Sequence, residues 1–181
     1  MLVVLGGLPG TGKSTVAHAL LARWPAVFLR IDTIEQALRD AAVLPGGEVG
    51  VAGYAVAYAL ARSHLAWGQA VLVECVNPLP VTRAAWCSVA REAGAPLLEV
   101  ELVCSDAVEH RRRIATRVSD IPGLLLPTWE AVLQRDYRPW DRHRLVVDTA
   151  GLCAVQAAVQ IGEALRARQA SALTEPAGPG R

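Results

Sequence analysis

The chain has 181 residues, 52% of them hydrophobic, enough for one well-buried core and too few for two ordinary domains. A formal net charge of +1 excludes a nucleic acid or an anionic membrane held by the overall field, so any nucleic-acid partner must be bound locally. The four cysteines, Cys75, Cys87, Cys104 and Cys153, stand far apart without CxxC spacing and read as buried thiols of a reducing cytoplasm.

The opening Met1-Leu2-Val3-Val4-Leu5 is apolar, but it stops at Gly6-Gly7 without the basic start or cleavage site of a signal peptide. It reads as a strand, and no other run approaches transmembrane length. Gly7-Leu8-Pro9-Gly10-Thr11-Gly12-Lys13-Ser14 then fits G-x-x-x-x-G-K-[ST] at every fixed position. Val16, Leu20 and Trp24 follow at helical spacing, so the loop lies between a strand and a helix, as a phosphate-binding loop requires. Its glycines let successive N–H groups face phosphate oxygens at a helix N-terminus. Residues Gly7 through Thr15 are therefore the expected ATP-binding set, with Lys13 on the β- and γ-phosphates and Ser14 on Mg²⁺.

A second apolar run, 26–31, ends at Arg30-Ile31-Asp32. Asp32 lies at the C-terminal end of a strand, the edge where open α/β sheets hold ligands, and could take a proton from an attacking hydroxyl. Equally, Asp32 and Glu35 fit the N-cap and N3 positions of the next helix. Arg30 has the same ambiguity between a substrate anion and a surface charge. The stretch 37–53 contains Pro45-Gly46-Gly47 and must bend. Val51, Tyr54, Tyr58, Ala61 and Leu65 then mark a helix with few charges, which either covers the acceptor site or is core. The run 70–76 includes Val71-Leu72-Val73-Glu74, a hydrophobic strand plus acid of Walker B type. Glu74 is thereby a candidate for Mg²⁺, through water, or for a substrate hydroxyl. Asn77-Pro78 suits a turn at the same edge.

After the run 97–103, a helix starting near Asp106 carries Arg113 and Arg117 on one face, four residues apart. They could clamp phosphates during transfer, or Arg113 could simply pair with Glu109. Ile121-Pro122-Gly123 and Pro127 break the helix, so 118–127 is a candidate lid, with a new helix beginning near Thr128. Arg135, Arg138 and Arg142 beyond it are weaker candidates, and the four histidines lack metal-ligand spacing. Trp67, Trp86, Trp129 and Trp140 could line a cavity or fill the core. A fifth apolar run lies at 144–148, and residues 169–181 read as a disordered tail.

With these motifs the chain resembles the small P-loop kinases that share an ATP-binding AAA-type kinase domain, among them chloramphenicol phosphotransferase, gluconate kinase, the kinase domain of polynucleotide 5′-kinase and the zeta toxins. The resemblance spans roughly residues 1–165. It implies Asp32 as the base, Arg113 and Arg117 as lid arginines assisting transfer, and Leu145 to Ala150 as the last strand and adenine-side loop. Gluconate kinases carry two acids flanking a glycine where only Asp32 stands here, which argues against a sugar acid. Polynucleotide kinases surround their site with more basic residues, which disfavours a nucleic-acid substrate.

The expectation is thus one three-layer α/β/α domain over 1–168, with a five-stranded parallel sheet and a small lid. Lys13, Asp32, Arg113 and Arg117 form its expected catalytic set. Arg30, Asp32 and Glu74 are expected to bind substrate, and Ser14 and Glu74 to bind metal. ATP and Mg²⁺ are the expected cofactors, a small metabolite or antibiotic the acceptor, and the cytoplasm the location, with no membrane partner. A homodimer is compatible with the sequence. A nucleotide, nucleoside or adenylylsulfate kinase is the nearest alternative, and a nucleotide-dependent regulatory protein a more distant one. Asp148-Thr149-Ala150-Gly151 fits the D-x-x-G of GTPases, but no N-K-x-D occurs in the chain.

Overall fold

A computed structural model describes residues 1–42 and 49–174; the Pro45-Gly46-Gly47 bend lies outside them. Five strands, β1 (Leu2–Gly6), β2 (Val27–Arg30), β3 (Val71–Glu74), β4 (Leu97–Val103) and β5 (Leu145–Asp148), form one sheet in the order β2-β3-β1-β4-β5. Every pairing is parallel. Apart from β4, which places buried Glu99 and Glu101 on one face, the apolar runs lack polar alternation because helices cover both faces of the sheet.

Strand β1 shows the division residue by residue. Val3 and Leu5 join a core with α1 (Lys13–Leu21) and α7 (Ala154–Thr174), while Leu2 and Val4 join one with α3 (Ala52–Ala66) and α4 (Pro80–Glu92). These are the outer layers of the expected three-layer fold. The remaining helices are α2 (Ile31–Asp40), α5 (Ala107–Thr116) and α6 (Trp129–Leu133). Asp106 caps α5 by accepting from the N–H groups of Val108 and Glu109, and Thr128 caps α6 by accepting from Ala131. Helix α5 stops at Thr116, and 117–128 has no regular structure up to α6.

Several local expectations are corrected. Asp32 does not cap α2: the extended backbone of β2 ends at Arg30, which takes the N-cap position, and Ile31 is already helical. Helix α7 runs on past Arg168 to Thr174, carried by alanine and glutamine, which favour helix, so the expected tail cannot begin at 169. Residues 175–181 lie outside the described structure. Of the cysteines only Cys75 is buried; Cys87 and Cys104 are half-buried, and Cys153 is exposed in the turn before α7. Among the described residues no helix is long and apolar enough to cross a membrane.

Candidate active site

Strand β1 is the centre of the sheet, with β3 on one side and β4 on the other, so the chain reverses its winding there. A crevice opens above the carboxyl ends of strands at such a switch point. Here it is a cavity of about 720 Å³, within the range of small-molecule sites. Its walls are the loop from Pro9 to Ser14, the start of α2, the ends of β2 and β3, and the segment 117–127.

The loop is built for close backbone approach. Gly7, Gly10 and Gly12 all have positive φ; a Cβ at Gly7 would fall 2.3 Å from the Leu102 carbonyl oxygen, and one at Gly10 would fall 2.6 Å from Ile114 Cδ1. Only glycine satisfies both the conformation and the space. Lys13, the first residue of α1, is buried with Nζ donating to the carbonyls of Gly7 and Leu8, both at 2.9 Å. Burial lowers its pKa, and Glu74 and Asp32 oppose that shift by attraction.

Ser14 Oγ donates to Glu74 Oε1 at 2.6 Å, joining the loop to the end of β3. Arg30, from the end of β2, donates from Nη2 to Ser14 Oγ at 3.2 Å and from Nη1 to Asp120 Oδ2 at 2.7 Å. Its Nε approaches Glu74 Oε2 to 3.4 Å without hydrogen-bond alignment, so both buried atoms lack a hydrogen-bond partner. An acid only 4% exposed, with one oxygen on the loop serine and the other near Arg30 but without a hydrogen bond, suits a cation that would complete it. The residues therefore fit Mg²⁺-ATP: loop amides and Lys13 for phosphates, Ser14 and Glu74 for the metal.

Asp32 is the second residue of α2, half-buried in the cavity wall, and makes no hydrogen bond or ion pair among the described residues. Glu35 lines the same wall one turn on, with its pKa raised by burial and by the Asp32 charge. From the other side come Arg113 and Arg117. Arg113 is heavily engaged: Nε pairs with Glu109 at 2.7 Å, the i, i+4 pairing that its spacing allows, and Nη1 and Nη2 donate to Thr149 Oγ1 and O, both at 2.9 Å. It still borders the cavity beside Gly12. Arg117, just past the end of α5, lines the cavity with no hydrogen bond or ion pair among the described residues. Arg135 also lines it; Arg138 and Arg142 do not.

All the expected site residues thus converge on one cavity, except Gly7, Leu8 and Thr11, which sit in the loop behind it. The tryptophans do not line it. Trp86 is in the core, Trp67 is exposed, Trp129 stands edge-on to His110, and Trp140 stacks on Arg83. Four contributors have no obvious local signal. His110 Nε2 donates to the Pro9 carbonyl at 2.7 Å, supporting the loop from α5; the carbonyl can only accept, so that nitrogen carries the proton. Thr149 Oγ1 donates to the Thr11 carbonyl at 3.0 Å and receives Arg113. Asp120 brings the segment 117–127 to Arg30. Arg83, fully buried, donates to the carbonyls of Asn77 and Pro78 beside the cavity and to those of Arg138 and Pro139. Its guanidinium lies 4.3 Å from the Trp140 ring centroid. The one hint is its spacing: it lies six residues beyond Asn77, on the helix that comes next.

Comparison with known proteins agrees with this geometry. A search of curated protein sequences finds no significant match. Among solved structures, a Chloroflexus aurantiacus protein provisionally described as a kinase superposes with a TM-score of 0.72 at 19% identity, over 92% of this chain and 96% of that one. The gluconokinase of Sinorhizobium meliloti gives 0.60 at 22% identity, over 96% and 97%. The APS kinase of Mycobacterium tuberculosis, solved with AMPPNP and APS, gives 0.62 at 18%, over 91% and 96%. At these identities the likeness is one of fold. Residues 2–134 match a sequence family described as AAA domain, and with well over half of its length matched, the chain belongs to that family and has the fold of the small P-loop kinases.

Proposed function

We propose that the protein is an ATP-dependent kinase that transfers the γ-phosphoryl group to a hydroxyl of a small molecule, within one domain that includes α7 and whose segment 118–127 serves as a lid. The observation that carries this reading is Asp32: a carboxylate without a partner among the described residues, in the same cavity as Lys13, Ser14 and Glu74. A regulatory nucleotide switch has no need of an idle acid there, whereas a phosphotransferase does.

In this mechanism Lys13 and the loop amides hold the phosphates, and Ser14 and Glu74 hold Mg²⁺, which supplies charge neutralisation when bound. Asp32 accepts the acceptor's hydroxyl proton as the acceptor oxygen bonds to the γ-phosphorus. The bond from phosphorus to the bridging oxygen breaks, and ADP leaves with its electron pair. Arg117, without a hydrogen-bond partner among the described residues, adds positive charge where the transferred group carries its negative charge. Arg113, braced by Glu109 and Thr149, does so from a fixed position. Arg30 holds the lid through Asp120 and borders the acceptor. The leucines and proline of 124–127 exclude water from the cavity.

The test is acceptor-dependent ADP release, screened over hydroxyl-bearing metabolites, nucleosides and antibiotics with Mg²⁺-ATP. Release that rises with one added acceptor, with phosphate recovered on that acceptor, is expected. Release unaffected by every acceptor refutes the kinase reading.

A further inference from the structure

The kinase reading leaves the acceptor open, and the role assigned to Glu35 rests on that reading. Asp32 and Glu35 are three residues apart on α2 and face the cavity together. Among the described residues Glu35 makes no hydrogen bond or ion pair with Lys13, Ser14 or Glu74, which line the same cavity. Its ion pair is with Arg39, one turn further along, at 3.4 Å, with the arginine open to solvent and the acid half-buried, a pairing of little strength. Desolvation and the neighbouring Asp32 charge both act against ionised Glu35. A second carboxylate is therefore kept beside the first at some cost.

Helix α3 makes room for it. Gly53, buried near the start of α3, has an ideal Cβ position only 2.4 Å from Glu35 Cγ and 3.0 Å from Oε1. Glycine is a poorer helix former than alanine. That loss falls at the position where any side chain would push Glu35 out of place. The φ of Gly53 is not positive, so backbone conformation does not account for the glycine; the room for Glu35 does.

We infer that Glu35 selects the acceptor, which carries a second hydrogen-bond donor, hydroxyl or ammonium, one or two carbons from the hydroxyl held by Asp32. A neutral polyol or amino alcohol meets this description. Two carboxylates one turn apart accept hydrogen bonds and cannot donate them, so a donor pair satisfies both. An anionic group at Glu35 would meet like charge instead. The nearby cations do not reverse this: Arg39 is engaged by Glu35 itself, and Arg135 is exposed.

The experiment measures acceptor-dependent ADP release over matched compounds: neutral polyols and amino alcohols, the same compounds with the neighbouring donor methylated, and those with a carboxylate in its place. Release is expected with the first set alone. Glu35→Gln is expected to raise the acceptor KM about ten- to a hundredfold, the loss of one charge-assisted hydrogen bond, with kcat and AMPPNP affinity within about twofold of wild type. Gly53→Ala, whose methyl group displaces Glu35, is expected to reproduce the KM increase and to add nothing to KM in the Glu35→Gln background. A merely structural Gly53 would leave KM alone, whatever the change in stability. Equal release from methylated or carboxylate analogues, or an unchanged KM in Glu35→Gln, overturns the role of Glu35 while the kinase reading stands. Release from no acceptor in the wider screen overturns both.

Discussion

Replacing Asp32 by Asn separates chemistry from architecture, because the structure gives this side chain no bond to lose. A negative charge in the first turn of a helix is worth about 0.3–1 kcal/mol. Removing it from Asp32 gives up that interaction and the attraction of Lys13 and Arg30, and relieves the repulsion on Glu35. These opposing contributions should leave stability within about 1 kcal/mol of wild type, or roughly 2–4 °C in melting temperature for a chain of this size. The amide oxygen keeps the shape but is a poor base. Loss of a general base lowers kcat about 10²–10⁴-fold, which corresponds to about 3–5 kcal/mol of barrier. The assay pairs thermal melting and AMPPNP calorimetry with acceptor-dependent ADP release. A stable variant that binds AMPPNP normally and retains near-normal turnover would falsify the base role.

Lys13→Ala is expected to abolish tight Mg²⁺-ATP binding while the fold survives, since among the described residues Lys13 Nζ donates only to the carbonyls of its own loop; calorimetry on a folded variant with unchanged affinity would sink the loop assignment. Hydrogen exchange over 118–127 should slow when a non-hydrolysable ATP analogue and an acceptor are both present, and unchanged exchange counts against a lid. Arg83→Met leaves four carbonyls without their buried donor and should destabilise the chain by about 3–5 kcal/mol in urea unfolding. Arg83→Lys should recover only part of this, as an ammonium has neither the planar fork nor the stacking face; full recovery would mean that charge alone is what matters there.

The phosphate loop is legible in sequence because all of its parts lie within eight residues and its strand and helix adjoin it. The sheet is legible because strands buried on both faces are mostly apolar, β4 with its buried Glu99 and Glu101 being the exception. Strand order is not, and it decides the long-range partners. Arg30 meets Asp120 across 90 positions and His110 meets Pro9 across 101, with no local pattern to announce either. Asp32 shows the opposite difficulty: its neighbourhood fits a helix cap and a sheet-edge base equally well, and only the helical conformation of Ile31 removes the cap. Glu35 is visible in sequence merely as the partner in that cap. Its relation to Gly53 depends on α2 crossing α3, which spacing along the chain does not specify. The tryptophans stay ambiguous for a similar reason, since an indole reads the same in sequence whether it faces a cavity, the core or solvent.

The likeness to the AAA domain family ends at residue 134, but the carbonyls that hold Arg83 do not. Two of the four belong to Arg138 and Pro139, and Thr149, which braces Arg113 and reaches the Thr11 carbonyl, lies later still. A polypeptide cut at the border of the likeness would retain the phosphate loop, Asp32 and Glu74, yet strand a guanidinium among half of its acceptors and remove the edge strand β5. The stretch that identifies the molecule is therefore shorter than the stretch that can stand alone, and a minimal active fragment has to be drawn by the reach of Arg83 and Thr149.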